Sequence, residues 1–268
     1  MTKDTPALGR VPALLLAPAA LALMLLVLPA VGLLSRTPWA QFPSRIGDPA
    51  LADALRLSLV TATASMLIAI VLGVPLAWIL ARADFWGKRL VRALVIVPMI
   101  LPPVVGGVAL LMAFGRRGLL GGPLFSQLGI TIPFSTLAVV IAQTFVALPF
   151  LVISVEGALR TSDSRFDEVA ATLGASRWRT FLRVSVPLAG PGVASGAALA
   201  WARALGEFGA TITFAGNAPG VTRTMPLQIY TALQADADAA ILLSVVLLAI
   251  SIAVLLLLRE RWIGGGFR

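Results

Sequence analysis

Residues 165–187 read Arg165-Phe166-Asp167-Glu168-Val169-Ala170-Ala171-Thr172-Leu173-Gly174-Ala175-Ser176-Arg177-Trp178-Arg179-Thr180-Phe181-Leu182-Arg183-Val184-Ser185-Val186-Pro187. Phe166, Val169, Ala170 and Leu173 recur at i, i+3, i+4 and i+7, so they share one face of a helix. Asp163, Asp167 and Glu168 suit its N-terminus, and Ser164 with Asp167 reads as a capping pair. Gly174 supplies a helix stop and Ser176 a cap for a second helix. In that helix Trp178, Phe181 and Leu182 repeat the spacing among Arg177, Arg179 and Arg183, and Pro187 closes the unit. Two short amphipathic helices in tandem are read here, not a slack loop. Taken alone, they fit either an interfacial element with arginines at lipid headgroups or a docking knob for a cytoplasmic partner.

What flanks this unit is strongly apolar. Of 268 residues, 59% are hydrophobic and 12% charged, with mean hydropathy +0.96. Soluble domains carry about a quarter charged residues, so the excess predicts a membrane-embedded chain. Six segments reach the roughly 20 helical residues that cross a bilayer core: about 12–34, 55–81, 90–114, 134–153, 188–213 (interrupted) and 240–258. Helix follows from length, because each span must satisfy its own backbone in lipid, and nothing has the alternating character of barrel strands. The fold class is therefore all-α, a polytopic membrane protein. Lys3 and Arg10 before the first segment resemble a signal-peptide n-region, but the apolar run is too long and lacks a clean cleavage site, so an uncleaved span is expected. The chain has no cysteine and no histidine. Disulfides, thiol nucleophiles, Cys or His metal ligands and histidine acid–base chemistry are thereby removed.

The net charge of +9 reads as topology, not nucleic-acid binding. With the N-terminus in the cytoplasm, inside stretches hold 14 basic residues: Lys3, Arg10, Arg82, Lys88, Arg89, Arg92, Arg160, Arg165, Arg177, Arg179, Arg183, Arg259, Arg261 and Arg268. Outside loops hold 5, namely Arg36, Arg45, Arg116, Arg117 and Arg223. Both termini are thus expected in the cytoplasm, and the 165–187 unit lies there too, between the fourth and fifth spans. Arg56 and Arg203 remain within spans.

These residues carry a resemblance. Permeases of binding-protein-dependent ABC importers bear a cytoplasmic motif written EAA, three residues, G, nine residues, I-x-L-P. Glu168, Val169 and Ala170 stand for EAA here, Gly174 for the glycine, and Val184-Ser185-Val186-Pro187 for I-x-L-P, with every spacing kept. Val169 departs from the first alanine, and Val184 and Val186 from the isoleucine and leucine. The resemblance implies the type I ABC importer transmembrane fold and a coupling helix seated in a groove of an ATPase subunit. It assigns that role to Phe166, Glu168, Val169, Ala170, Ala171, Leu173, Gly174 and Pro187. Small Ala170, Ala171 and Gly174 allow close approach, while Leu173 and Phe166 would fill an apolar cleft. The stretch Gly206-Glu207-Phe208-Gly209-Ala210-Thr211-Ile212-Thr213-Phe214, with Ala215-Gly216-Asn217 and Thr222-Arg223-Thr224-Met225-Pro226-Leu227-Gln228-Ile229-Tyr230, looks like the molybdate type. Sulfate and thiosulfate permeases share its GEFGA core.

Domains follow as 1–52 (N-terminus, first span, external loop), 53–258 (importer transmembrane domain) and 259–268 (cytoplasmic tail). Within the spans, Pro98, Pro102, Pro103 and Pro149 free backbone carbonyls and bend helices. Pro102 and Pro103 read either as pathway lining or as packing. Arg203 and Glu207, four apart, read either as a gate pair or as a self-neutralising structural pair. Thr211, Thr213 and Asn217 offer neutral hydrogen bonds suited to an anion that must be released. No G-x-x-x-x-G-K-[ST] loop is present. The chain is thus expected to be a non-catalytic subunit that binds no cofactor or metal, with ATP and magnesium on a partner ATPase. The expected assembly has two ATPase copies, a second copy of this permease and an extracytoplasmic oxyanion-binding protein, in the cell membrane. The expected cargo is molybdate or tungstate, with sulfate or thiosulfate as the alternative. A stand-alone channel or secondary carrier would have only Arg203, Glu207, Arg56 and Glu156 to work with.

Overall fold

The computed structural model describes residues 13–163 and 165–263. Lys3, Arg10, Ser164 and Arg268, used above for topology and capping, lie outside the described residues. Helix α1 spans Ala13–Ser35 and lies bare of neighbours over most of its length, as a lipid-facing span would. A 3-10 turn at Trp39–Gln41 and a short α2 (Phe42–Ile46) lead into α3, Pro49–Arg82. Asp48 caps α3, accepting the Ala50 N–H at 2.9 Å, with Pro49 at the first helical position. Residues 52 and 53 both lie within α3, which is longer than the 55–81 read from hydropathy.

The third apolar segment is split into α4 (Lys88–Ile100) and α5 (Pro103–Phe114), bent by 117° at the break. Its reason is local: Pro102 and Pro103 together remove two N–H donors, and a residue before proline is pushed out of the helical region. By contrast Pro75 and Pro149 lie inside unbroken helices. A short α6 (Gly121–Leu128) precedes α7 (Thr136–Thr161), which Ser135 caps through the Ala138 N–H.

Next come α8 (Arg165–Thr172), α9 (Arg177–Thr180), a π-helical turn over Phe181–Ser185, and α10 (Val186–Leu188). After Ala189 the chain bends by 73° into α11, Gly190–Leu205. Pro187 sits inside this run, so the unit closes at Ala189, two residues later than the spacing predicts. Helix α12 (Gly209–Phe214) follows a break, then α13 (Met225–Leu233) and α14 (Ala237–Ile263). The nine-residue α13 is apolar but too short to register as a span. Among the described residues, four helices are long and apolar enough to cross a membrane, or up to six with each bent pair as one span.

The core is an α3–α7–α11 trio. Leu80, Leu151, Val152, Val155, Leu159, Trp201 and Leu205 are buried in it, with Ala62, Ala69, Ala77, Ala147, Ala200 and Ala204 at the crossings. Small residues at crossings let helix backbones approach, which is how helices associate where lipid is as apolar as leucine. A second cluster joins α5, α7 and α12 around Leu110, Val139, Val146 and Phe214.

Candidate functional site

The 165–187 unit is built as its capping residues dictate. Gly174 adopts φ +79°, and a Schellman closure forms at α8, with Ala175 N donating to Ala170 O and Gly174 N to Ala171 O, both at 3.0 Å. Ser176 Oγ accepts the Arg179 N–H at 3.3 Å, capping α9. No residue of α8 is buried. Phe166 and Val169 are each 55% exposed and Leu173 82%, so an apolar face stands open beyond the ends of α3 and α7. Glu168, Ala171, Gly174 and Pro187 are exposed as well, and Ala170 is half-buried. Trp178 and Leu182 are exposed, but Phe181 is not: it turns inward against Trp78, ring centroids 5.5 Å apart. Phe181 also stacks on Trp178 at 5.5 Å, as their spacing predicts, so it links the exposed Trp178 to Trp78 of α3.

Asp167, Arg82 and Ser185 hold this unit together, a part that the capping, topology and motif readings did not give them. Asp167 Oδ2 lies 2.9 Å from Arg82 Nε at the end of α3, an ion pair by distance without the alignment of a hydrogen bond. Its Oδ1 accepts Ser185 Oγ–H at 2.9 Å. Nearby, Glu156 of α7 takes Arg92 of α4 at 2.7 Å and Arg160 at 3.0 Å. An acid isolated in an apolar span was the available signal for that cluster. The Arg82–Asp167 pair, 85 residues apart in sequence, had none.

The membrane-depth candidates meet at the two helix breaks. Gly209 packs against Pro103 so closely that a Cβ there would lie 2.6 Å from Pro103 Cβ. One turn further, a Cβ on Gly107 would lie 2.7 Å from Thr213 Cβ. Both breaks therefore lie side by side. Pro102 and Pro103 are exposed in the single chain. Arg203 Nη1 reaches Glu207 Oε2 at 2.6 Å, but Glu207 is beyond the end of α11 and is not on its face. Its other oxygen accepts the Ala210 N–H at 2.8 Å, capping α12. Thr211 is fully buried with no partner for its hydroxyl, and Thr213 donates to Gly209 O at 2.9 Å. Between α12 and α13, Asn217 Oδ1 accepts from Arg223 Nε at 2.9 Å, and Asn217 Nδ2 donates to Thr231 Oγ1 at 3.1 Å.

Residues 69–264 match the family model described as binding-protein-dependent transport system inner membrane component. The chain belongs to this family. Among its relatives, the molybdenum transport system permease protein ModB of Mycobacterium tuberculosis is 51% identical over 239 residues, covering 89% of this chain and 90% of the relative. The ModB of Escherichia coli is 40% identical over 211 residues, covering 79% and 92%. A probable sulfate transport system permease protein of Chlorokybus atmophyticus is 36% identical over 235 residues, covering 86% and 82%. The fold is that of a solved bacterial ABC transporter involved in import of the polysaccharide alginate, with TM-score 0.76, 16% identity and 95% of each chain covered. This inner membrane component is a multi-pass α-helical ABC permease.

Proposed function

We propose that this chain is the translocation subunit of an ATP-driven molybdate or tungstate importer, working by alternating access. The observation that carries the coupling half is the open apolar face of Phe166, Val169 and Leu173 on a rigid, doubly capped helix pair. An apolar face left open in this way marks a protein or membrane contact, and the EAA-type spacing from Glu168 to Pro187 favours the protein partner. The cargo half draws on the ModB relatives, which match over more of their own length and at higher identity than the sulfate permease.

In this reading two ATPase subunits, which hold ATP and magnesium, close on nucleotide binding and move the α8–α9 units of two permease copies. The spans tilt, and a loaded extracytoplasmic binding protein releases the oxyanion between the copies. Hydrolysis resets the inward-facing state. The chain itself catalyses no reaction, and both its termini face the cytoplasm.

The test is reconstitution with the ATPase and binding protein in proteoliposomes. Molybdate is expected to stimulate ATP hydrolysis and to accumulate inside, with tungstate competing and sulfate competing weakly. ATP-independent uptake by the permease alone would overturn the reading. Sulfate competing as well as molybdate would replace the cargo.

A further inference from the structure

Helix α8 buries none of its residues, so apolar packing does not hold it in place. What holds it is polar. The two oxygens of Asp167 serve two different elements: Oδ2 pairs with Arg82 Nε at the last residue of α3, and Oδ1 accepts the Ser185 hydroxyl at the end of the π turn, each at 2.9 Å. Arg82 Nη2 also donates to Ser162 O, at the start of the loop, at 3.4 Å. The Arg82 and Asp167 side chains are only 15% and 20% exposed, so solvent screens this pair less than an open surface pair. The π turn contributes too. One extra residue rotates everything beyond it by about 100° relative to a regular α-helix. Ser185, 1% exposed, thereby faces back toward α8. Glu168, one position on from Asp167, points a further 100° or so round α8 and is exposed, free for a partner.

We propose that Asp167 is the positioning residue that latches the coupling helix to α3 and to the α9–α10 run, so that a push on α8 moves the spans and does not merely deform the loop. This rests on the ATPase-driven reading above.

The experiment uses the reconstituted complex and the variants Arg82→Gln, Asp167→Asn, their double, and Asp167→Glu. It reads molybdate accumulated per ATP hydrolysed. Each single variant is expected to lower that ratio about two- to thirtyfold while hydrolysis persists, the range that coupling residues away from both ligands contribute. The double is expected to do no worse than the weaker single, and Asp167→Glu to retain most of the ratio. Additive losses, or an unchanged ratio in Asp167→Asn, would overturn the latch. Should Asp167→Asn complexes fail to assemble, Ser185→Ala removes only the Oδ1 contact and is expected to lower the ratio by a smaller factor; no change there overturns the proposal equally. A second measurement needs no transport. The chain has no cysteine, so spin labels on Thr172→Cys in α8 and on Ile79→Cys, an exposed position of α3, report the α8–α3 distance. A narrow distribution in the parent that broadens in Arg82→Gln supports the latch; equal widths overturn it. If the parent complex shows no molybdate-stimulated hydrolysis, the functional reading fails while this distance still judges the latch.

Discussion

Arg203 Nη1 and Glu207 Oε2 lie 2.6 Å apart across the end of α11, with Glu207 1% exposed. The carboxylate also caps α12, so one acid joins the two halves of a broken helix. Removing one member of a buried pair strands the other charge. Glu207→Ala is expected to destabilise the chain by about 2–3 kcal/mol, below the full cost of breaking a buried pair because Arg203 is 29% exposed. Arg203→Leu combined with Glu207→Leu is expected to recover most of this, short of the roughly 1 kcal/mol cap. Thermal unfolding in detergent, followed by size-exclusion profile, measures both.

Gly174 separates two effects. Its φ of +79° disfavours most side chains, yet among the described residues nothing lies within 4 Å of a Cβ placed there. Asparagine tolerates this conformation and tryptophan does not clash internally. Gly174→Asn is expected to keep uptake near the parent level. Gly174→Trp is expected to fold but to lose uptake and assembly with the ATPase, seen by co-purification. Equal behaviour of the two variants would count against a partner contact at this turn.

The contact between Gly209 and Pro103 leaves no room for a methyl group. Gly209→Ala is expected to cost about 1–3 kcal/mol through overpacking, and Gly209→Val more. A lowered unfolding midpoint in detergent, with the single-copy profile otherwise unchanged, checks it.

One surface group carries a resolved pH dependence. The Ala239 N–H, and then Arg45 at 2.8 Å, hold the Asp236 carboxyl below the usual carboxylate range. A depressed folded-state pKa gives stability that is fully present above the unfolded value of about 3.9 and lost as pH falls through the lower, folded value. The stability gap between the parent and Asp236→Asn is therefore expected to be constant above about pH 5 and to close below about pH 4. Unfolding midpoints across that range, at low salt, measure it.

Much of this architecture is legible in the sequence because it is written in short-range chemistry. Apolar length marks the spans, and the Gly174 and Ser176 punctuation marks the coupling turns. Pro102–Pro103 marks a break, although not its 117° size. Pro149 carries the same letters and breaks nothing, since α7 is packed on both sides of it. What sequence could not show is pairing across distance. Asp167 reads as a helix-start acid, Arg82 and Arg92 read as topology charges, and Phe181 reads as a partner of Trp178 alone, although it also packs on Trp78. Each is reassigned by a neighbour remote in the chain.

The length of α3 has a mechanical meaning. Its 34 residues make a rod of about 50 Å, against a hydrocarbon core of about 30 Å. At one end Arg82 is bound to α8 through Asp167. Toward the other, Ser58 Oγ accepts the Met225 N–H at 2.7 Å, gripping the start of α13. The two grips are 24 residues, or about 36 Å, apart on one continuous helix. In the proposed transport cycle, a tilt of this one rod carries a displacement of α8 to the start of α13, with no relay of side chains between them.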